Sequence, residues 1–229
     1  MDKQRKPLKV SSRLFLAIGV IFIIAGIIIV ALVDYNARQH ALVEAELKVQ
    51  IILNRNLAIH TYFTHQLKPK LFNSTDHFRS KDYFEPTWMS STYAIREIDK
   101  YYRALESGDY YYKECAINAR SPENEADAYE KSFIEELNAN SGLMTRSVER
   151  VLDGKPYFVV LRRGEVMEEV CLRCHSTPDK APADLVRYYG PERSFNRSVG
   201  EVVSAISIRV PLSFAYENLF LFSIFVRSF

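Results

Sequence analysis

The chain has 229 residues and few reactive side chains: three cysteines, five histidines and one tryptophan. Three cysteines cannot staple a disulfide scaffold. Eight glycines and nine prolines, without a repeat or a biased tract, exclude collagen-like and low-complexity chains. The charges nearly cancel, 30 basic against 28 acidic for a net of +2, so there is no electrostatic footprint for nucleic acid. No glycine-rich phosphate loop, no nucleophile with a recognisable base and no paired-carboxylate motif is present, and nothing therefore marks an enzyme. What remains is a chain with 48% hydrophobic residues, enough for one ordinary core with appendages.

The first appendage is unambiguous in pattern. Lys3, Arg5, Lys6, Lys9 and Arg13 precede "LFLAIGVIFIIAGIIIVALV", residues Leu14–Val33, which carries no charge. Twenty helical residues reach about 30 Å, the thickness of a bilayer's hydrocarbon core. A cleaved signal would have a shorter apolar region and a small-residue cleavage site, which "DYNARQHALVEAE" does not offer. The expectation is a single-pass inner-membrane protein with the lipid bilayer as a partner. Residues 1–13 form a cytoplasmic tail, 14–33 the span, and 34–212 a periplasmic domain, following the tendency of basic flanks to stay inside. The apolar segment 213–229 has an uncharged stretch, Leu219–Val226, too short to span, and reads as the start of a truncated second span.

Within 34–212 the hydrophobic period changes. Val43, Leu47, Ile51, Ala58 and Tyr62 recur at helical spacing, predicting a long amphipathic helix from Asp34 to about Leu67, ended by Pro69. The polar stretch "KPKLFNSTDHFRSKDYFEP" reads as a loop, and "SSTYAIREIDKYYRALES" as a second helix. A third helix starts at Ser121 as N-cap with Pro122 in its first turn, has Ala126, Tyr129, Phe133 and Leu137 on one face, and stops before Gly142. "RSVERVLDGKPYFVVLRR" is a hairpin around Asp153-Gly154, and "GEVVSAISIRVPL" alternates as a half-buried strand should. The fold class is α+β: helices first, then a small antiparallel sheet.

Two of the three cysteines fall in "EVCLRCHSTPDKAP", residues 169–182, in the loop between the hairpin and the last strand. Cys171-Leu172-Arg173-Cys174-His175 has the form of a c-type haem attachment site. Two thiols three positions apart can add to the two vinyl groups of one porphyrin edge, and the adjacent histidine then lies under the iron as proximal ligand. Three other readings compete. A structural zinc site needs four ligands and lacks a second pair here. A thioredoxin-like dithiol needs a βαβ setting. A plain disulfide leaves His175 without a role.

The chain also resembles the membrane-anchored, haem-c-binding, PAS-like periplasmic sensor domains found at the input end of histidine kinases, diguanylate cyclases and chemoreceptors. The resemblance runs from about Leu53 to Leu212. It is carried by "HQLKPKL", "PTWMSSTYAIREI", "YYKECAINARSPENEADAYE", "DGKPYFVVLRR", "CLRCHSTPDKAP", "YYGPE" and "SVGEVVSAISIRVPL" in that order. It implies a PAS-like sheet holding one covalent haem c, with Cys171 and Cys174 as thioether residues and His175 as proximal iron ligand. The distal ligand would come from the helical half. His65, on the helical face of Ile51, Ala58 and Tyr62, is the first candidate and His60 the second, both preceding Pro69. Met89 and Met144 offer thioethers, and Cys115 reads as a buried thiol. Arg162, Arg163, Arg187 and Arg193 bracket the haem loop as candidates to pair with propionates.

Two function classes follow. As a sensor input module the domain would detect redox state or a small gas and signal through its membrane-connected helix to an output domain or partner protein, with a homodimer as a natural assembly. As a membrane-anchored monohaem cytochrome it would pass electrons to a redox partner. The long helix and the resemblance favour the first; the lack of an output domain in these residues favours the second.

Overall fold

The computed structural model describes residues 10–105 and 110–212. The tail before Val10 and the segment 213–229 therefore lie outside the described residues. The chain divides into two compact units, the first holding the described residues up to Glu44 and the second beginning at Ala45.

The first unit is helix. It belongs to α1, which runs Val10–Tyr62, and its residues from Leu14 to Val33 are uncharged and, apart from the half-buried Val30, exposed. This helix is long and apolar enough to cross a membrane.

The second unit is mixed α+β around a four-stranded antiparallel sheet ordered β1-β4-β3-β2. The strands are β1 (Tyr111–Ala116), β2 (Thr145–Leu152), β3 (Lys155–Arg163) and β4 (Ser204–Pro211). The predicted hairpin is present: β2 and β3 pair from Thr145↔Arg162 to Leu152↔Lys155. Asp153 and Gly154 turn between them with φ of 50° and 76°. Both lie in the left-handed region that a two-residue turn of this kind requires, which Gly adopts freely and Asp tolerates. β4 is not half-buried as its alternation suggests. It lies between β1 and β3 with both faces covered, so Ala205 and Ser207 are as buried as Ile206 and Ile208. β1 gave no sequence signal because its pattern is mixed: Lys113 and Glu114 are both buried in it.

One face of the sheet packs on α5 (Ala128–Ala139) through Cys115, Phe133, Ile134, Leu137, Val159, Leu161 and Ala205. An ionic network crosses the same layer. Glu130 is 0% exposed and meets Lys113 Nζ at 2.6 Å and Arg209 Nη2 at 2.7 Å. The start of α5 differs from the expectation. Ser121 and Pro122 begin only a short 3₁₀ turn, Pro122–Asn124, whereas Asp127 caps the helix in a reciprocal box with Glu130. A carboxylate that accepts the N3 amide while the N3 glutamate reaches back satisfies two orphan donors, a stronger start than a serine with no cap bond.

The long helix departs from the expectation twice. Its buried residues in this unit are Ala45, Val49, Ile52, Leu53 and Asn56, while Leu47, Ile51 and Tyr62 are exposed. The helix carries two apolar stripes, and periodicity alone cannot choose between them. Arg55 locks the chosen face: it binds Asp99 of α4 (Ser91–Leu105) at 2.6 Å and stacks over Tyr102 at 3.9 Å. Nor does Pro69 end the helix. Phe63–Leu67 opens into a π turn and α2 restarts at Lys68–Thr75 with Pro69 in its first turn. The wider turn relieves the clash a proline makes with the carbonyl four residues back, and its missing N–H costs nothing at a helix start. The stretch expected to be a loop is thus partly helical, in α2 and in the short α3 (Pro86–Met89).

Candidate functional site

The motif occupies two consecutive single turns after β3. Cys171 ends a 3₁₀ turn, Glu169–Cys171, and Cys174 and His175 close α6 (Leu172–His175). Both cysteines are free thiols, and Cys174 packs against Ala181, Leu185 and Phe195. Burial pushes the Cys174 thiol up, the opposite of the depressed value a redox dithiol needs to attack a disulfide. Among the described residues no group of three or more His, Cys, Asp and Glu is placed to hold a metal ion.

His175 is held from one side. Its Nδ1 lies 2.8 Å from the Ser194 carbonyl oxygen and 3.1 Å from the Ser194 hydroxyl. Arg120 Nη2, which can only donate, also lies 3.2 Å from Nδ1, but the shorter contact is with a carbonyl that can only accept, so Nδ1 carries the proton and the Nε2 lone pair is left available. Arg120 braces the same turn, donating to the carbonyls of Cys174 at 2.7 Å and Ser194 at 3.1 Å, with its guanidinium over the Phe195 ring. Burial, then the charge of Arg120, pushes the imidazole down to about 4, so it is neutral at pH 7 as a metal ligand must be. The clamp carries backbone strain: Ser194 and Asn196 have φ of 62° and 59° on either side of the buried Phe195. A non-glycine residue held there costs about 1–3 kcal/mol, and such strain gathers at functional sites.

Facing this turn is a charged group that the sequence did not reveal. Glu165 accepts from His60 Nε2 at 2.7 Å and lies near Ser91 Oγ at 3.4 Å. Burial alone would raise its carboxyl, but the His60 hydrogen bond together with the charges of His60 and Lys68 holds it below the ordinary range, and that same bond raises His60. Gly164 makes this placement possible: a Cβ there would stand 2.7 Å from the Ser204 carbonyl oxygen, and the close approach lets Ser204 Oγ accept from the Glu165 amide at 3.0 Å.

Glu114, on β1, lies close enough for Glu165 to affect it. Burial, then the charge of Glu165, pushes its carboxyl up to about 7 from an ordinary 4.5. The folded chain therefore keeps a proton that the unfolded chain releases, and stability present below about 4.5 is lost as the pH rises toward 7. Glu114→Gln should leave the melting temperature near wild type at pH 5. It should raise stability at pH 8 by roughly 3 kcal/mol, at about 1.36 kcal/mol per unit of pKa. An equal gain at both pH values would show that charge is not the cause.

The other expected site residues fall elsewhere. His65, in the π turn, is exposed, because the face it shares with Ile51, Ala58 and Tyr62 is the solvent face. His60 is the one of the two that meets Glu165. Met89 Sδ accepts from the Glu85 amide at 3.2 Å, and Met144 is exposed. Cys115 is fully buried on the α5 side of the sheet, bonded to the Ala205 carbonyl. Arg163, Arg187 and Arg193 bind the Ser141 carbonyl, Asp184 and Glu125 respectively. Arg162 lies on β3 opposite Ile206. The arginine that does stand at the motif, Arg120, is 55 residues from His175 in sequence, and no local pattern marks it.

Residues 38–211 match the Tll0287-like family over most of the chain. This chain belongs to the Tll0287-like family. Its fold is similar to that in the crystal structure of the cyanobacterial heme-protein Tll0287, with a TM-score of 0.52 at 15% identity, covering 73% of this chain and 95% of that one. At that identity the likeness is one of fold. No curated protein matches the chain. The Tll0287-like match begins at residue 38, beyond the apolar run, and includes the whole cysteine–histidine turn.

Proposed function

We propose that this chain binds one haem c covalently through Cys171 and Cys174, with His175 as proximal ligand, and that it serves as the membrane-anchored periplasmic input module of a signalling system. The observation that carries this reading is the orientation of His175: Nδ1–H is spent on the Ser194 carbonyl, Nε2 is available, and two free thiols stand within one turn. The heme-protein Tll0287, which shares the fold, supports the same cofactor. The donor set fits the group: two thiols for the thioethers and a neutral nitrogen for the iron. Haem bound there would supply a redox-active iron.

The chain's own residues do the rest. Ser194 fixes the tautomer, burial with the charge of Arg120 keeps the ring neutral, and Glu165 holds His60 on the element that also contains the apolar span. His60 lies three residues before the π turn, the least regular turn of that element, and a histidine able to leave Glu165 would act on it directly. A sensor needs such a bistable contact, whereas an electron carrier does not.

Full-length protein from cells that assemble c-type cytochromes should keep its haem through denaturing electrophoresis, and Cys171→Ser or Cys174→Ser should abolish or weaken that. Wild-type protein that carries zinc and no covalent porphyrin would refute the cofactor. Hydrogen exchange then separates the two functions: the sensor requires Phe63–Leu67 to exchange differently in the oxidised and reduced protein, and identical exchange would make the chain a cytochrome carrier.

A further inference from the structure

A cavity of about 440 Å³ lies beside the cysteine turn, lined by Asp76, Arg79, Lys81, Arg173, Lys180 and Pro182. Four cations face one carboxylate. Asp76 pairs with Arg79, and among the described residues Lys81, Arg173 and Lys180 form no salt bridge. Like charges gathered around a cavity repel unless an anion sits among them.

Arg79 is built in, whereas Arg173 is exposed at the cavity rim. The Arg79 side chain is only 6% exposed, and its guanidinium is 4.6 Å from the Phe72 ring centroid and 5.4 Å from that of Trp88. Phe72 and Trp88 meet edge to face at 5.1 Å, so the fork is held between two rings that fix each other. Its Nε and Nη1 are buried without a hydrogen-bond partner. The Arg173 guanidinium stands 5.7 Å from the Phe72 ring centroid. Two planar forks beside one aromatic group, one of them held in place, suit the paired oxygens of a carboxylate or phosphate better than a lysine cluster would.

We propose that this cavity binds a small dianionic oxyacid from solution, recognised by Arg79 and Arg173 with Lys81 and Lys180 supplying charge. Arg173 lies between Cys171 and Cys174. In a porphyrin the vinyl groups that would bond those thiols are on the edge opposite the propionates, so the cavity does not duplicate a propionate cradle. The inference does not depend on bound haem, because every residue in it belongs to the cavity.

The test is titration calorimetry of the full-length chain in detergent with succinate and with inorganic phosphate at constant ionic strength, on haem-loaded protein and on Cys171→Ser/Cys174→Ser protein. One of the two anions should bind both forms with one site per chain. Arg173→Gln and Lys180→Gln should each weaken that binding tenfold or more, while Arg187→Gln, outside the cavity, should leave it unchanged. Arg79→Lys keeps the charge but loses the fork and should also weaken binding. Binding of neither anion to either form would overturn the proposal. So would binding confined to the haem-free chain, which would assign the cavity to the propionates. Equal loss with Arg187→Gln would reduce the effect to net charge and overturn it as well.

Discussion

His175→Gly should strip the haem of its proximal ligand without unfolding the protein or releasing the porphyrin. The thioethers are made by Cys171 and Cys174, so attachment survives, whereas the ligand field that depends on His175 Nε2 is lost and the absorption spectrum should turn high-spin. The structural cost should be small. The Ser194 carbonyl that loses the Nδ1–H donor still accepts from Arg120 at 3.1 Å, so no buried acceptor is orphaned and the hydrogen-bond part of the penalty should be about 1 kcal/mol, with the emptied ring position adding to it. Added imidazole should fill the vacated ring position and restore the wild-type spectrum, which a merely unfolded variant could not do. The distal side should respond differently. His60→Ala leaves Glu165 without its nearest partner and should change the spectrum if His60 is the sixth ligand, while His65→Ala, on the solvent face, should leave it alone. A His175→Gly protein with an unchanged spectrum would remove His175 from the site altogether.

The parts of this site that could be read from the sequence were local. Cys171, Cys174 and His175 are contiguous, and their spacing is itself the chemical requirement, so no tertiary information is needed to find them. The hairpin at Asp153-Gly154 was legible for the same reason: two adjacent residues with positive φ set the turn. What could not be read was anything set by packing between distant segments. Arg120 and Ser194 meet His175 only because the loops after β1 and before β4 come together. The buried face of α1 is chosen by Arg55 and Asp99 across 44 residues, not by the helix's own periodicity. That choice sends His65 outward and His60 toward Glu165, and a helical wheel with two apolar stripes cannot tell the two apart. Pro69 misled for a related reason. A proline breaks an α-helix, but the π turn ahead of it supplies the slack that lets the helix resume.

The largest loss of stability should come from a residue far from the cysteines. Glu130 is 0% exposed and is the shared counter-charge of Lys113, whose side chain is 8% exposed, and of Arg209. Glu130→Gln keeps the shape and still allows the side chain to reach back to the Asp127 amide, so the capping box of α5 persists. Only the charge is removed, and it leaves two cations behind with Asp127 alone near Arg209. Breaking a buried ion pair from one side costs about 3–5 kcal/mol because the remaining charge is desolvated and uncompensated. Against a total stability of roughly 5–15 kcal/mol, this change alone should lower the urea midpoint steeply. The wild-type pH profile carries the same term. Burial raises the Glu130 carboxyl, but the hydrogen bonds from Lys113, the Asp127 segment and Arg209 outweigh it and hold the group below its ordinary value. A depressed carboxyl contributes stability above its unfolded pKa and loses it as the pH falls through the folded one, so wild type should approach the Glu130→Gln variant in strong acid. The double variant Glu130→Gln with Lys113→Met should recover much of the loss at neutral pH, since the stranded ammonium is then gone. A single variant that costs under about 1 kcal/mol, or a double variant no better than the single, would mean that the network is solvated in solution and does not hold α5 to the sheet.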